Sequence, residues 1–388
     1  MTQLFESADV RLVHQAGDRA GSVVVTFSSL NMHDYPFGDV FFAKHGVQAY
    51  HFVATWNHWW QPASVREAVA ALVRILAEAG HSRIVTYGSS MGAYGAAMYA
   101  SELSAQAILM LAPQWTADPA RAPHEKRWAA EAKQISFLHD DMGANISTAA
   151  RKYLVYDPAS QDRAHAALYG GVANTVLLPC PDGGHVIGHT LQQSDLLTGL
   201  VMEVLDGEID LARWRDRWVQ ARRRSGRYWY ELGKRAMRQR RPALGLSCLS
   251  RAVKLRPQEA AFQIDFGYAL IKHQQFEQAI NAFEAASELA ADHPAPWRGI
   301  SMARRHLRQP QAAVTAAREA VSRRPRSTDL LRVLTNALID AEQFGQAADT
   351  MLAALDMEPN NQENRRLLDA AVRRLRPRLA RHGLAPPE

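Results

Sequence analysis

The stretch Val85-Thr-Tyr-Gly-Ser-Ser-Met-Gly-Ala-Tyr-Gly-Ala-Ala-Met-Tyr-Ala100 decides the reading of the first half of the chain. A β-branched run, Ile84-Val85-Thr86, meets a knot of glycines and serines, and small residues at helical spacing follow. Such a run predicts a strand that turns sharply into a helix. Gly88 and Gly92 lie two residues before and two after Ser90, so the tight turn has its bulk-free positions around Ser90 rather than Ser89. Gly95 and Ala96 then let the helix lie close to the sheet.

Working outward, the same two periodicities alternate. Segments 21–29, 46–54, 82–88, 105–112, 152–157 and 174–180 are short β-branched or apolar runs, each a predicted strand. Segment 64–80 is an amphipathic helix with Ser64 as its expected N-cap and Gly80 as terminator. Near-continuous apolar strands followed by helices predict an α/β domain, a mostly parallel sheet covered by helices.

The pattern Gly88-Ser89-Ser90-Met91-Gly92 fits G-x-S-x-G in its required strand–turn–helix context. It resembles the nucleophile turn of the α/β-hydrolase family, its esterase-like members with G-x-S-M-G in particular. The resemblance implies Ser90 as nucleophile, followed in the chain by an acid and a histidine. A serine hydroxyl attacks only when a histidine takes its proton and an acid orients that histidine. Asn174–His185 looks like the family's last strand and its G-G-H loop, which makes His185 the expected base and leaves His189 structural. Asp157 and Asp162 both follow one strand. Asp157 is the preferred acid, because Asp162 has a ready role as the N-cap of a helix over 162–170; Asp162 stays the alternative. The oxyanion expectation falls on the backbone N–H of Met91, with Ser28 as second donor, although the 26–30 loop lacks the glycine-rich signature of many lipases. Trp56, Trp59 and Trp60 either line the substrate pocket or pack beneath a polar cap over 113–150, in which His139-Asp140-Asp141 reads as a solvated loop rather than a metal cluster. No glycine-rich nucleotide fingerprint or Walker sequence is present, so neither an organic cofactor nor a metal is expected.

The second half differs in charge and in period. Residues 1–205 carry a net charge of −5 and residues 206–388 carry +11. Pro257, Pro325 and Pro359 are separated by 68 and 34 residues. The same register aligns Leu232, Phe266, Ile300 and Leu334, then Gly245, Ala279, Ala313 and Ala347, then Ala252, Ala286, Ala320 and Ala354. Recurring small residues let antiparallel helices approach, with Leu249, Phe283 and Met351 between them. This resembles the tetratricopeptide repeat, an all-α solenoid whose usual role is to hold a protein partner.

The domain reading is therefore 1–205 for the hydrolase-like part, 206–225 for a helical linker, 226–361 for four repeats and 362–388 for a capping helix and tail. The arginines of "ARRRSGR" and "KRAMRQRR" suit an acidic partner or, more plainly, the solvated faces of helices. No nucleic-acid motif accompanies them, no run reaches eighteen apolar residues, and Cys180 and Cys248 imply no disulfide framework. With no basic and apolar leader at the start, a cytoplasmic setting is expected. The expected activity is hydrolysis of a small or polymer-linked acyl ester or thioester through an acyl-Ser90 intermediate. An acyltransferase or an amidase would use the same residues, and a non-catalytic interaction protein would keep only the fold.

Overall fold

The computed structural model of the chain describes residues 1–81, 83–207 and 209–381. Ser82 of the expected 82–88 strand, Glu208 of the expected linker and the 382–388 tail lie outside the described residues. The chain divides into two units, Met1–Glu231 and Leu232–Glu388.

The first unit is built on an eight-stranded mixed sheet. In chain order it runs β1 (Thr2–Glu6), β2 (Val10–Gln15), β3 (Ser22–Phe27), α1 (Asp39–Lys44), β4 (Ala49–Ala54), α2 (Ala63–Ala79), β5 (Arg83–Ser89), α3 (Met91–Met98) and β6 (Ala107–Leu111). It continues through α4 (Ala129–Ala132), α5 (Met142–Asn145), β7 (Arg151–Tyr156), α6 (Asp162–Gly170), β8 (Thr175–Pro179), α7 (Ile187–Gln193), α8 (Leu197–Asp206) and α9 (Leu211–Ala221). The strand order is β1-β2-β4-β3-β5-β6-β7-β8. Pairings β1/β2 and β2/β4 are antiparallel, and all the others are parallel.

The central strands β3, β4, β5 and β6 are buried along almost their whole length, which is why they read as continuous apolar runs. The hairpin β1/β2 is half-exposed and interrupted by charge, so it carries no comparable run. On α2, Val65, Ala68, Val69, Leu72 and Leu76 form the buried stripe, and Gly80 ends the helix at φ 64°. Its N-cap is Pro62, not Ser64; the Ser64 hydroxyl instead donates to Asp9 at 2.7 Å. The segment expected as a linker belongs to the first unit. There α9 buries Trp214 and Trp218, which line a groove of about 450 Å³ together with Val176 and Leu178 of β8.

The boundary between the units falls within α10 (Gly226–Arg238). The second unit continues with α11 (Pro242–Leu255), α12 (Ala260–Lys272), α13 (Phe276–Leu289), α14 (Pro294–His306), α15 (Pro310–Arg323), α16 (Thr328–Asp340), α17 (Phe344–Met357) and α18 (Gln362–Arg381). It is a helical solenoid in which each helix from α11 packs on the next, and its small residues do what their 34-residue spacing requires. Ala252, Ala286, Ala320 and Ala354 are fully buried. The Phe283 ring is wedged against Gly267 and Gly299, where a built Cβ would stand 2.7 and 2.3 Å from it.

Candidate active site

Strand β5 ends at Ser89 and α3 begins at Met91, leaving Ser90 alone on the turn with φ 52° and ψ −120°. This is a sparsely populated conformation for a residue with a Cβ and persists only where its surroundings impose it. Its N–H donates to the Leu111 carbonyl at 2.9 Å, and its carbonyl accepts from Tyr94 N–H at 3.1 Å. The flanking glycines are required by close approach. A Cβ on Gly88 would lie 2.2 Å from the Gly92 oxygen, and one on Gly92 would lie 2.2 Å from the Phe27 oxygen.

His185 follows β8, directly after the loop 180–184. Asp157 holds this loop: it is buried and accepts backbone N–H groups from Ala159 at 2.8 Å and from Asp182 and Gly184 at 3.0 Å. Burial raises the Asp157 carboxyl above its ordinary range in spite of those three donors. The loop so held sets His185 Nε2 3.0 Å from Ser90 Oγ.

The other ring nitrogen meets Asp162, not Asp157. His185 Nδ1 lies 2.9 Å from Asp162 Oδ1 and 3.1 Å from Oδ2. An ionised carboxylate only accepts, so Nδ1 carries the proton and Nε2 is left to accept from the serine hydroxyl. The preference for Asp157 as the orienting acid is thereby corrected: its oxygens are committed to main-chain amides. Asp162 is also not the N-cap of α6. Gln161 stands there, and Asp162 is the first helical residue. The Ser160 hydroxyl lies 3.0 Å from Asp162 Oδ2. Burial would raise the Asp162 carboxyl, but the hydrogen bond and charge of His185, together with the charge of Arg127, outweigh it and hold the group below its ordinary range.

Arg127 is the residue that sequence reasoning missed. It stands between β6 and β7 and donates from Nη1 to Asp162 Oδ1 at 2.8 Å, with the same nitrogen 3.2 Å from His185 Nδ1. Its Nε donates to Glu125 Oε1 at 2.9 Å, and Nη2 pairs with Glu125 Oε2. Glu125 is buried and held far below the ordinary carboxylate range, because bonds from His165 and Arg127 outweigh the cost of burial. His165 completes the chain, with Nε2 3.1 Å from Glu125 and Nδ1 accepting Trp115 N–H at 3.1 Å. Neighbouring Trp128 lies with its ring 5.5 Å from that of His185. Nothing in "HEKRW" (124–128) beyond a cluster of charge would have singled these residues out.

A second unforeseen neighbour is Gln114, fully buried, whose Nε2 is 3.3 Å from both Ser90 Oγ and the Ala112 carbonyl. The carbonyl fixes the orientation of this amide, since a flipped oxygen would face Ala112 O.

Of the expected oxyanion donors, Met91 heads α3, where a first-turn N–H has no intrahelical acceptor. Ser28 does not fit. Its N–H donates to the Phe52 carbonyl at 2.9 Å and its hydroxyl accepts Ala54 N–H at 2.9 Å, so it is part of the strand end. The indoles divide. Trp60 is buried and donates to the Met91 carbonyl at 2.8 Å, bracing the turn from beneath. Trp56 donates to Asp9 at 3.0 Å at the start of the sheet. Trp59 is buried, its ring 5.9 Å from that of Trp128, which in turn lies against His185. Asp140 is not solvated: it is buried, taking the Tyr94 hydroxyl at 2.7 Å and the Thr116 hydroxyl. Among the described residues, no group of three or more His, Cys, Asp or Glu could hold a metal ion, and no helix is long and apolar enough to cross a membrane.

No curated protein matches the chain. Among solved structures it is similar to the APC/C hetero-tetramer Cut9–Hcn1, at 18% identity and TM-score 0.36, covering 42% of this chain and 34% of that one. The chain thus spans about a third of that protein's length. It is also similar to MamA (41-end) from Desulfovibrio magneticus RS-1, at 17% identity and TM-score 0.36, covering 44% of this chain and 97% of that one. A third is the first TPR of Spaghetti (RPAP3) bound to the HSP90 peptide SRMEEVD, at 19% identity and TM-score 0.29, covering 30% and 96%. Residues 264–329, from within α12 to the start of α16, match the model of the tetratricopeptide repeat family. The second unit therefore carries a tetratricopeptide repeat domain, a protein-interaction module.

Proposed function

We propose that the first unit is a serine hydrolase of the α/β-hydrolase kind, cleaving an ester or thioester, and that the repeat domain docks a protein partner or a carrier of the substrate. The observation that carries this reading is the unbroken line Ser90 Oγ, His185 and Asp162, with steps of 3.0 and 2.9 Å, anchored on a strained serine at a strand-to-helix turn. Ser90 Oγ attacks the acyl carbon and passes its proton to His185 Nε2. That proton then goes to the departing alcohol or thiol, leaving an acyl-Ser90 ester. Water repeats the sequence in reverse: it gives a proton to His185 Nε2, attacks the acyl carbon, and Ser90 recovers its proton. Asp162 holds the productive tautomer and offsets the charge of the transient imidazolium. The Met91 N–H stabilises the oxyanion, a contribution of about 3–4 kcal/mol for one such donor in related chemistry.

The test is turnover of p-nitrophenyl acetate and butyrate by the full chain. The wild type should release nitrophenolate with a pre-steady-state burst of one equivalent, and Ser90→Ala should show neither burst nor turnover above background. Ser89→Ala should keep most of the activity. Absence of both burst and turnover in the wild type would favour an interaction protein that retains only the fold.

A further inference from the structure

Arg127 has an unusual place for a guanidinium. It touches the carboxylate that orients the proposed base, and it stands 3.2 Å from the nitrogen of that base which carries the proton. Two donors facing each other at that distance form no hydrogen bond; the contact is a fixed cation beside a ring that must become cationic during catalysis. Glu125 keeps it there, binding it through Nε and Nη2 while Nη1 reaches Asp162. The Glu125 side chain is 1% exposed and that of Arg127 22%, so the pair is screened by water on the arginine side only.

We propose that Arg127 is a positioning residue of the Ser90–His185–Asp162 line: it fixes the Asp162 carboxylate and sets the pH at which His185 becomes available as a base. This rests on the hydrolase reading given above. Other charged groups also stand near His185. Asp182 belongs to its own loop, Asp157 follows β7 and is bound to the Asp182 and Gly184 N–H groups of that loop, and Glu231 lies against Gly184. Glu125 acts through Arg127. Arg127 is a cation in contact with both the ring and its acid. Without it, Asp162 would take a proton more readily, and the imidazolium would be better held by an undivided carboxylate. Both effects demand a higher pH for the free base, so they act in the same direction.

The experiment is the pH dependence of kcat/KM on p-nitrophenyl butyrate for the full-length wild type, Arg127→Met, Arg127→Gln and Arg127→Lys. In the Met and Gln variants the acid limb should move toward higher pH by about one unit, the low end of what an adjacent arginine does to a carboxyl. Activity on the alkaline plateau should stay within about tenfold of wild type. Arg127→Lys should return the limb to the wild-type position even where its plateau is lower. Gln keeps a hydrogen-bond donor without the charge, so it replaces Met if the Met variant does not fold. A uniform loss at all pH values with the limb unmoved, or a Lys variant whose limb matches Met and Gln, would overturn the proposal. Fluorophosphonate labelling of wild-type Ser90 separates the two claims. If labelling fails, the hydrolase reading is wrong; if it succeeds with an unmoved limb, only the role of Arg127 is wrong.

Discussion

Replacing Asp162 by asparagine removes the charge at the end of the proposed catalytic line with little change of shape. Oδ1 now accepts from both His185 Nδ1 and Arg127 Nη1, at 2.9 and 2.8 Å. An asparagine oxygen in that place could still accept both donors, with the new amide nitrogen turned to Ser160. The charge balance could not survive. Arg127 would remain 3.2 Å from Nδ1, its charge met by Glu125 alone, so the imidazolium formed in acylation would lose its carboxylate while a cation stayed beside it. With the amide turned the other way, Nδ2 would face Nδ1 and select the tautomer that cannot take the serine proton. Both arrangements disable the base. The corresponding change in a serine protease lowers kcat about 10⁴-fold, or about 5 kcal/mol of barrier, and a loss of that order is expected here. Asp157→Asn is the control. One of its atoms can still serve Ala159 and Asp182, which share Oδ1, while Gly184 loses its acceptor on Oδ2. Relief of the burial that raises this carboxyl offsets part of the loss. Asp157→Asn should therefore keep kcat within about tenfold and melt within a few degrees of wild type. Steady-state hydrolysis of one activated ester, with melting followed by circular dichroism, reads both variants. A crippled Asp157→Asn beside an active Asp162→Asn would refute the assignment.

Three further outcomes follow from the packing. Gly92→Ala places a methyl 2.2 Å from the Phe27 carbonyl oxygen, and the clash should cost about 3 kcal/mol or more, seen as a fall of roughly 10 °C in Tm. Gly345→Ala meets open space near the start of α17 and should stabilise the repeat domain by about 0.4–1 kcal/mol in urea unfolding. Phe283→Ala, which empties the wedge between Gly267 and Gly299, should destabilise the same domain by about 3–5 kcal/mol in that assay. His58 donates from Nε2 to the Asp9 carbonyl at 3.0 Å and accepts Trp60 N–H on Nδ1 at 2.9 Å, so no nitrogen is free for a second proton. Burial drives its pKa down from 6.5 to about 4. The unfolded chain then binds this proton first, and stability should fall as pH drops from about 6.5 to 4. His58→Gln should flatten that slope in urea unfolding, and an NMR titration of the ring should have its midpoint near 4.

The parts of the fold that the sequence made legible are those where one local constraint acts. The runs that became β3 to β7 are apolar because both faces of those strands are covered, whereas β8 is an edge strand of the sheet and buries only Leu178. Gly80 closes α2 in the left-handed conformation, and the glycines about Ser90 stand where a Cβ would strike a backbone oxygen. The repeat register was readable because the same close helix contact recurs every 34 residues. The misreadings concern choices made in three dimensions. Asp157 and Asp162 lie five residues apart after one strand, and only the path of the 180–184 loop decides which of them meets His185 and which meets main-chain amides. Ser28 matched by position alone, and its hydrogen bonds belong to the sheet. Arg127, Glu125 and Gln114 come from the stretch between β6 and β7, remote in sequence from Ser90 and His185, so no spacing rule reaches them.

The central claim is that Ser90 is an activated nucleophile. It is tested most directly by treating the purified full-length chain with a fluorophosphonate at neutral pH and locating the adduct by mass spectrometry of the peptide that contains residues 85–100. One equivalent of adduct is expected on Ser90, none on Ser89, and none anywhere in Ser90→Ala or after denaturation of the wild type. An unlabelled wild-type chain, or equal labelling of wild type and Ser90→Ala, would contradict the account.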